Sequence, residues 1–412
     1  MEVVHARCCG LDVHKKTVVA CLIVPGDDGA PVKETRTFGT MTEDIVALAD
    51  WLEGAGVAVV AMESTGVYWK PIYNLLEGRF SLLLVNPEHI KAYSRPKSDV
   101  KDAEWIADLL RHGLLKGSFV PTREQREMRE LARYRTSLIQ ERTAELNRLQ
   151  KVLEGANIKL ASVASEIDGV SARAMLEALA SGSSDASAMA RLARGLLREK
   201  IPQLEKALSG RFEAHQRFMV VQQLVHIDTL DELIERVSAE IAERTRPFEE
   251  AVEHLDTIPG IGRATAEVIV AEIGVDMSRF GSPEQLCSWA KVCPGKNASG
   301  GRERSGKTGH GNKALRLALV QAANSLARSN KSYLSAHYHR LASRIGKNKA
   351  TIAVAHSILV IVYHMLDRKE DYRDLGPNYF DMRNKEAVQR RLVRRLRDLG
   401  YKVTLEPIPL AA

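Results

Sequence analysis

The order of apolar runs in the first 110 residues constrains the fold most. Residues 6–24, ARCCGLDVHKKTVVACLIV, hold two strand-like runs broken at His14-Lys15-Lys16, and KETRTFGT supplies a third. TEDIVALADWLEGAG then reads as a helix, with Thr42 and Asp44 near its start and Gly54 and Gly56 at its end. VAVVAM, ended by Glu63, is a buried strand. A helix carrying Tyr68, Trp69, Ile72, Leu75 and Leu76 follows Gly66, and FSLLLVNP is a further strand. KSDVKDAEWIADLL, Lys97 to Leu110, closes the series as a helix with Trp105, Ile106, Leu109 and Leu110 as its apolar stripe. The order βββαβαβα predicts an α/β unit: three antiparallel strands followed by αβ repeats build a mixed sheet with helices on its faces. In that sheet the first strand and VAVVAM lie side by side.

Four acids stand out in this region. Asp12 lies inside the first strand, between Leu11 and Val13, and Glu63 ends the VAVVAM strand. Charged residues in buried strands need partners. Asp99 and Asp102, three positions apart, share one face of the Lys97–Leu110 helix at the start of its stripe. Each has a plain reading: strand-end carboxylates for the first two, an N-cap and a first-turn acid for the others. Together they predict four carboxylates converging at one end of one sheet. Oxygen-only ligands favour Mg²⁺ or Mn²⁺, and ions held this way serve phosphoryl transfer.

From Pro121 the pattern turns helical. PTREQREMRELARYRTSLIQERTAELNRLQKVLEG has an imperfect stripe of Met128, Leu131, Leu138, Leu146, Leu149 and Leu153, near heptad with slips, and predicts a helical hairpin or short coiled coil. Arg123, Arg126, Arg129, Arg133, Arg135 and Arg142 crowd its first half, either as a solvated face paired with glutamates or as contacts to nucleic-acid phosphates. Residues 160–250 stay helical, with a loop at 181–187.

At 255–274, LDTIPGIGRATAEVIVAEIG resembles a helix-hairpin-helix element, in which Gly260 and Gly262 form a turn whose amides could hold a phosphate; a plain glycine capping turn is the alternative. A basic, glycine-rich loop follows, PGKNASGGRERSGKTGHGNK, before another helix. GRERSGKT within it has Walker A spacing, but PGKNASG cannot be the β-strand that a P-loop requires. Arg302, Arg304, Lys307 and His310 are better read as DNA-backbone contacts, with Lys97 a further phosphate candidate. Ser299 and Ser305 also lie there, and the residues alone do not choose between them. RRLVRRLRDL, Arg390 to Leu399, lies along a duplex or packs as a charged terminal helix.

Composition fits a nucleic-acid partner. Lys plus Arg number 59 against 52 Asp plus Glu, a formal charge of +7. Aromatic residues make up 5%, so base stacking is not expected to be the main binding mode. The five cysteines form no CxxC pair, which argues against a zinc site or disulfide framework and fits a reducing, cytosolic setting; a cytoplasmic, nucleoid-associated location is the expectation. No signal-peptide pattern is read at MEVVHARCC. The apolar run at 351–366 contains His356 and reads as a buried helix; no membrane association is expected.

GLDVHKK, ESTGVYWKP and VNPEHIKAYSRPKSDVKDA resemble the N-terminal RuvC-like domain of the DEDD insertion-sequence transposases, and IPGIGRATAEVIVAEIG with PGKNASG resembles their C-terminal transposase domain. The resemblance covers roughly 6–120 and 250–340. It implies an RNase H/RuvC-like mixed sheet at 1–120, a helical coiled-coil region at 121–250, a helical transposase domain at 251–380 and a basic helical tail at 381–412. The DEDD set falls on Asp12, Glu63, Asp99 and Asp102, and the family's catalytic serine, in a Pro, four residues, Ser-Gly pattern, falls on Ser299.

The resemblance further implies Mg²⁺ (or Mn²⁺) at the carboxylates and attack by the Ser299 hydroxyl on a DNA phosphate, giving a covalent phosphoserine link and a free 3′-hydroxyl. It also implies a structured bridge RNA that pairs with donor and target DNA, and a homodimer or homotetramer in which carboxylates and serine of one site come from different protomers. The alternatives are a RuvC-like metal-dependent junction nuclease that uses water, and a binding module whose carboxylates are structural.

Overall fold

The computed structural model describes residues 2–64, 66–87, 99–293, 297–299, 302–304, 309 and 311–406. The chain divides into two compact units, Met1–Pro121 and Thr122–Ala412.

The first unit is a mixed five-stranded sheet with helices on both faces. Its elements are β1 (Cys8–Val13), β2 (Thr17–Pro25), β3 (Pro31–Gly39), α1 (Thr42–Gly54), β4 (Val59–Glu63), α2 (Trp69–Leu76), β5 (Ser81–Val85) and α3 (Asp99–Arg111). The strand order is β3-β2-β1-β4-β5, an RNase H-like order, with β1–β2 and β2–β3 antiparallel and β1–β4 and β4–β5 parallel. This is the expected succession, with the VAVVAM strand beside the first.

Period-two alternation sorts the side chains between two cores. Cys9, Leu11 and Val13 of β1 pack with Ile45, Leu48 and Leu52 of α1 and Ile72 and Leu76 of α2. Cys8 of β1, Val19, Cys21 and Ile23 of β2 and Ala61 of β4 pack with Ala103, Ile106, Ala107 and Leu110 of α3 on the other face. Both faces of β2 are therefore covered, which explains its unbroken apolar run. β3, at the edge, is largely exposed and carries Lys33, Glu34 and Arg36, charges that discourage pairing with another chain.

The seat of α3 is narrower than its sequence suggests. A Cβ on Gly10 would lie 2.4 Å from the Ala107 nitrogen and 2.5 Å from the Ala103 oxygen, so the helix backbone rests directly on β1. The Cys8 Sγ lies 3.7 Å from the Ala107 oxygen, and the Arg111 carbonyl accepts from Val4 and His5. The helix thus runs antiparallel to β1. Ala103 and Ala107 make the closest approach, and Trp105, expected in the docking stripe, is only half-buried at the flank of that core.

The second unit is helical apart from one short ladder. Its first helices are α4 (Arg123–Gly155), α5 (Leu160–Val163), α6 (Val170–Ala180), α7 (Ala186–Ala190), α8 (Ile201–Leu208) and α9 (Ala214–Thr245). Then come α10 (Glu249–Asp256), α11 (Arg263–Ile273), α12 (Pro283–Trp289), β6 (Asn297–Ser299), β7 (Arg302–Arg304), α13 (Lys313–Leu326), α14 (Tyr333–Ile345), α15 (Lys347–Arg368), α16 (Tyr379–Arg383) and α17 (Lys385–Asp398).

α4 and α9 form the expected hairpin. They run antiparallel, with ion pairs from Arg244 to Glu127 (2.7 Å) and from Arg142 to Asp231 (2.5 Å). The small helices α5–α8 share a core with Leu149 and Leu153 at the far end of α4. α15 is the one described helix long and apolar enough to cross a membrane; here Val354, Ile358, Leu359 and Val362 are fully buried and it packs on α12, α13 and α14.

The slips in the α4 heptad are buried polar residues with partners. Glu272 of α11 is fully buried. Its carboxylate accepts from the Arg133 guanidinium through two bonds of 2.7 and 2.9 Å and pairs with Arg129 at 3.3 Å. Arg129 also donates to the Ala271 and Glu272 carbonyls. Burial pulls the Arg129 guanidinium down to about 10, against the opposing pull of Glu272. Arg135, 5% exposed, pairs at 2.6 Å with Glu267, 4% exposed. Arg129 and Arg135 are thus taken up by buried carboxylates of the same unit, while Arg123, Arg133 and Arg142 pair with carboxylates and stay partly exposed, as the solvated-face reading has it.

Two outcomes follow from these contacts. Gly10→Ala is expected to lower stability by about 1–3 kcal/mol by pushing α3 off β1, seen as a lower denaturant midpoint with little change in slope. Glu272→Ala is expected to cost about 3–5 kcal/mol by leaving charges buried, whereas replacing Arg129, Arg133 and Glu272 together with Met is expected to recover most of that loss; chemical denaturation compares the two.

Candidate functional site

The carboxylate end of the sheet is built by register. β1 and β4 pair in parallel, with Gly10 opposite Ala61 and Leu11 opposite Met62. Asp12 and Glu63 are the next residue on each strand, so they stand side by side at the carboxyl ends of neighbouring parallel strands. By alternation both belong to the face of Cys8, Gly10, Val59 and Ala61, which is the face that α3 covers. α3 runs antiparallel to β1, so its first turn, with Asp99 and Asp102, lies toward that same end. Carboxyl ends of strands in open α/β sheets are where ligands are usually held.

The individual groups are partly shielded. The Asp12 side chain is 14% exposed and its Oδ2 is 3.1 Å from the His14 Nε2. An ionised carboxylate only accepts, so His14 donates through Nε2. The Asp102 Oδ1 is buried. Asp108, one of the two acids of this helix outside the predicted cluster, is used elsewhere, 2.6 Å from the Lys33 Nζ.

For Asp99 the backbone alone is described. Among the described residues no three His, Cys, Asp or Glu side chains converge closely enough to hold an ion, and the Asp99 carboxyl is outside that set. The donor chemistry fits a hard divalent cation: carboxylate oxygens from two strand ends and one helix turn, with neither sulfur nor a buried lysine among them. Lys97 lies outside the described residues.

Ser299 sits on a ladder that the sequence did not announce. β6 and β7 are antiparallel, with Asn297 opposite Arg304, Ala298 opposite Glu303 and Ser299 opposite Arg302. Opposed and alternate residues share a face, so the positions of Ser299, Arg302, Asn297 and Arg304 belong to one face of the ribbon. Runs of only three residues, bounded by glycine and rich in charge, carry no strand pattern. Lys307, His310 and Ser305 lie outside the described residues.

The base of this loop is closed tightly. A Cβ on Gly311 would lie 2.6 Å from the Ala290 oxygen and 2.7 Å from the Lys291 Cβ, so the segment leaves and returns at one point. Asn312 follows as the cap of α13: its Oδ1 accepts from the Leu315 amide at 3.1 Å, and its Nδ2 donates to Glu272 at 2.5 Å. The buried glutamate therefore braces the loop base as well as α4. Sequence reasoning passed over Glu267 and Glu272; the available signal was two acids inside the apolar run AEVIVAEIG.

The glycine turn between α10 and α11 has mixed surroundings. Gly260 has φ +90°, and a Cβ there would lie 2.8 Å from the Ala322 oxygen and 2.7 Å from the Ser325 Oγ, so its bareness serves close packing on α13. Gly262 caps the exposed start of α11. Arg263 beside it is already forked onto Glu249 at 2.5 and 2.8 Å.

Comparison with known proteins falls on the same two regions. Residues 9–158 match the family described as DEDD transposase of the IS110 type, and residues 252–339 match the one described as the transposase IS116/IS110/IS902 family. The chain is 26% identical over 295 residues to the transposase for insertion sequence element IS1111A of Coxiella burnetii, covering 70% of this chain and 72% of that one. It is 24% identical over 322 residues to a probable family 20 transposase of Pseudomonas aeruginosa, covering 76% and 86% of the two chains. The transposase for insertion sequence element IS1328 of Yersinia enterocolitica is 24% identical over 280 residues, 68% of this chain and 73% of that one. With an RNase H-like sheet carrying the acids, a helical unit carrying the serine loop and both family matches in that order, the chain belongs to the IS110 family of insertion-sequence transposases, enzymes that act on DNA.

Proposed function

We propose that this transposase cuts and rejoins DNA through a covalent link to Ser299. Membership in a DEDD family implies a divalent metal, which we take to be Mg²⁺, with Mn²⁺ able to replace it. Asp12, Glu63, Asp99 and Asp102 would hold it. When bound, such an ion neutralises phosphate charge as it builds toward the transition state.

The chain's own residues supply the rest. The Ser299 oxygen bonds to phosphorus as the bond from phosphorus to the 3′-oxygen breaks, and the serine proton ends on that 3′-oxygen. The phosphodiester becomes a phosphoserine ester of similar energy, so a new 3′-hydroxyl can reverse the step without ATP. Arg302 and Arg304 contact the phosphates flanking the cut. The single observation that carries this reading is the β6–β7 register, which pairs Ser299 with Arg302 and Asn297 with Arg304. Arginine positions on the same face of the ladder as the nucleophile's position suit an anionic substrate.

The same reading includes a structured guide RNA whose base pairing selects the DNA, and a homodimer or homotetramer as the working form. The low aromatic content, 5%, supports a protein that leaves sequence reading to base pairing. The other reading is a junction nuclease that uses water. It is favoured by the sheet alone, since carboxylates at strand ends need no serine to direct hydrolysis.

Ser299→Ala is expected to abolish the denaturant-resistant protein–DNA adduct that the wild type forms on cleaved donor ends. Strand cleavage persisting in that variant would favour the water-using nuclease instead. Asp12→Asn combined with Asp102→Asn is expected to weaken Mn²⁺ binding by more than about tenfold, measured by calorimetry on the protein without DNA. Unchanged metal binding and DNA processing would leave the carboxylates a structural role.

A further inference from the structure

The chain contains two arginine-rich helices, and the structure treats them oppositely. In α4, Arg129, Arg133, Arg135 and Arg142 each face a carboxylate within 3.3 Å. In α17, the Arg390 contact found among the described residues is donation to the Glu386 carbonyl of its own helix. Among the described residues no ion pair engages Arg391, Arg394, Arg395 or Arg397. No residue of α17 is buried. Residues 385–406 carry seven cationic against three acidic side chains. An unpaired run of guanidinium groups repels itself and gains nothing for the fold.

Their arrangement is one-sided. At 100° per residue, Arg390, Arg391, Arg394, Arg395 and Arg397 fall within an arc of roughly 160°, opposite Leu392, Leu396 and Leu399. One flank of the basic arc forms a wall of a groove of about 520 Å³. Arg391 and Asn384 stand on that wall, with Arg340 and Ser343 of α14 across from them and Asp381 as the acid there. Arg340 is held in place over the Phe380 ring, 4.9 Å from its centroid. The groove thus brings cations of two helices together. The whole helix lies beyond residue 339, where the second family match ends.

We infer that the basic face of α17, with Arg340, is a binding surface for the phosphate backbone of duplex DNA, separate from the loop of Ser299. Charge complementarity selects a polyanion. A duplex suits the geometry best: a 14-residue helix spans about 21 Å and fits beside or within the B-form major groove. The deep, narrow groove of double-stranded RNA does not admit a helix. α17 carries no aromatic side chain for stacking on single strands. Its apolar side also lacks the Trp and Phe usual in helices that lie in a membrane surface. Contacts of this kind hold DNA without reading sequence.

The test is equilibrium binding of the full chain in EDTA, with Ser299→Ala in both proteins, so that no cleavage chemistry enters. Wild-type-tail protein is compared with R391Q/R394Q/R395Q on a mixed-sequence duplex of about 30 base pairs, long enough for the helix to lie along it. Each lost phosphate contact lowers the slope of log affinity against log salt by about 0.9, so the triple variant is expected to lose about 2.7. Affinity at low salt is expected to fall at least tenfold. The thermal melt should be unchanged, because no residue of α17 is buried. An unchanged slope and affinity would overturn the inference. So would a loss confined to single-stranded RNA or to anionic phosphatidylserine vesicles, run in parallel, with duplex binding intact. Failure of the Ser299 reading would leave this result untouched, since no step here uses the serine.

Discussion

The direct contact between the α3 backbone and Gly10 of β1 governs the first unit. With no side chain between them, Ala103 and Ala107 sit against the strand and the helix has one seat. That seat fixes direction as well as distance: with Arg111 tied to Val4 and His5 at one end, the first turn must lie toward the end of β1 where Asp12 stands. β4 adds Glu63 because parallel pairing keeps the two strands in step. Backbone packing therefore sets the two strand ends and the first turn of the helix at the same end of the sheet, with no attraction among the acids, which would repel one another.

The helical unit handles charge by a different route. Glu267 and Glu272 are carried into the interior on α11 and met there by arginines of α4. Buried pairs of this kind repay little net stability compared with apolar packing. What they add here is direction. Glu272 is bonded at once to Arg133 and to Asn312, so the brace of the long hairpin and the base of the Ser299 loop meet on one carboxylate. A residue that looks like an error in an apolar helix is the point at which the loop is anchored.

Much of the sheet was legible because alternation and order carry it. Asp12 and Glu63 were conspicuous as acids in apolar strands, and the same rule, applied to AEVIVAEIG, would have marked Glu267 and Glu272. Of the stripe Trp105, Ile106, Leu109 and Leu110, Ile106 and Leu110 do lie in the core and Trp105 sits at its flank, whereas the closest helix–strand contact is made by the small Ala103 and Ala107, which leave no hydrophobic signal. The β6–β7 ladder was illegible because three-residue strands have no periodicity to read. The close approach of Gly260 to Ala322 and Ser325 was equally illegible, because those partners lie more than 60 residues away in sequence.

By itself, the sequence determined the order of elements, the mixed sheet and the chemical character of the acids and of the serine loop, because these follow from local pattern and residue type. Only the tertiary structure decided which charges are spent inside the fold. The arginines of α4 and of α17 are alike as strings of letters. Arg135 finds Glu267 across 132 positions, while among the described residues no ion pair engages Arg391, Arg394, Arg395 or Arg397. Pairing is a property of what lies opposite in space, and no local pattern encodes it.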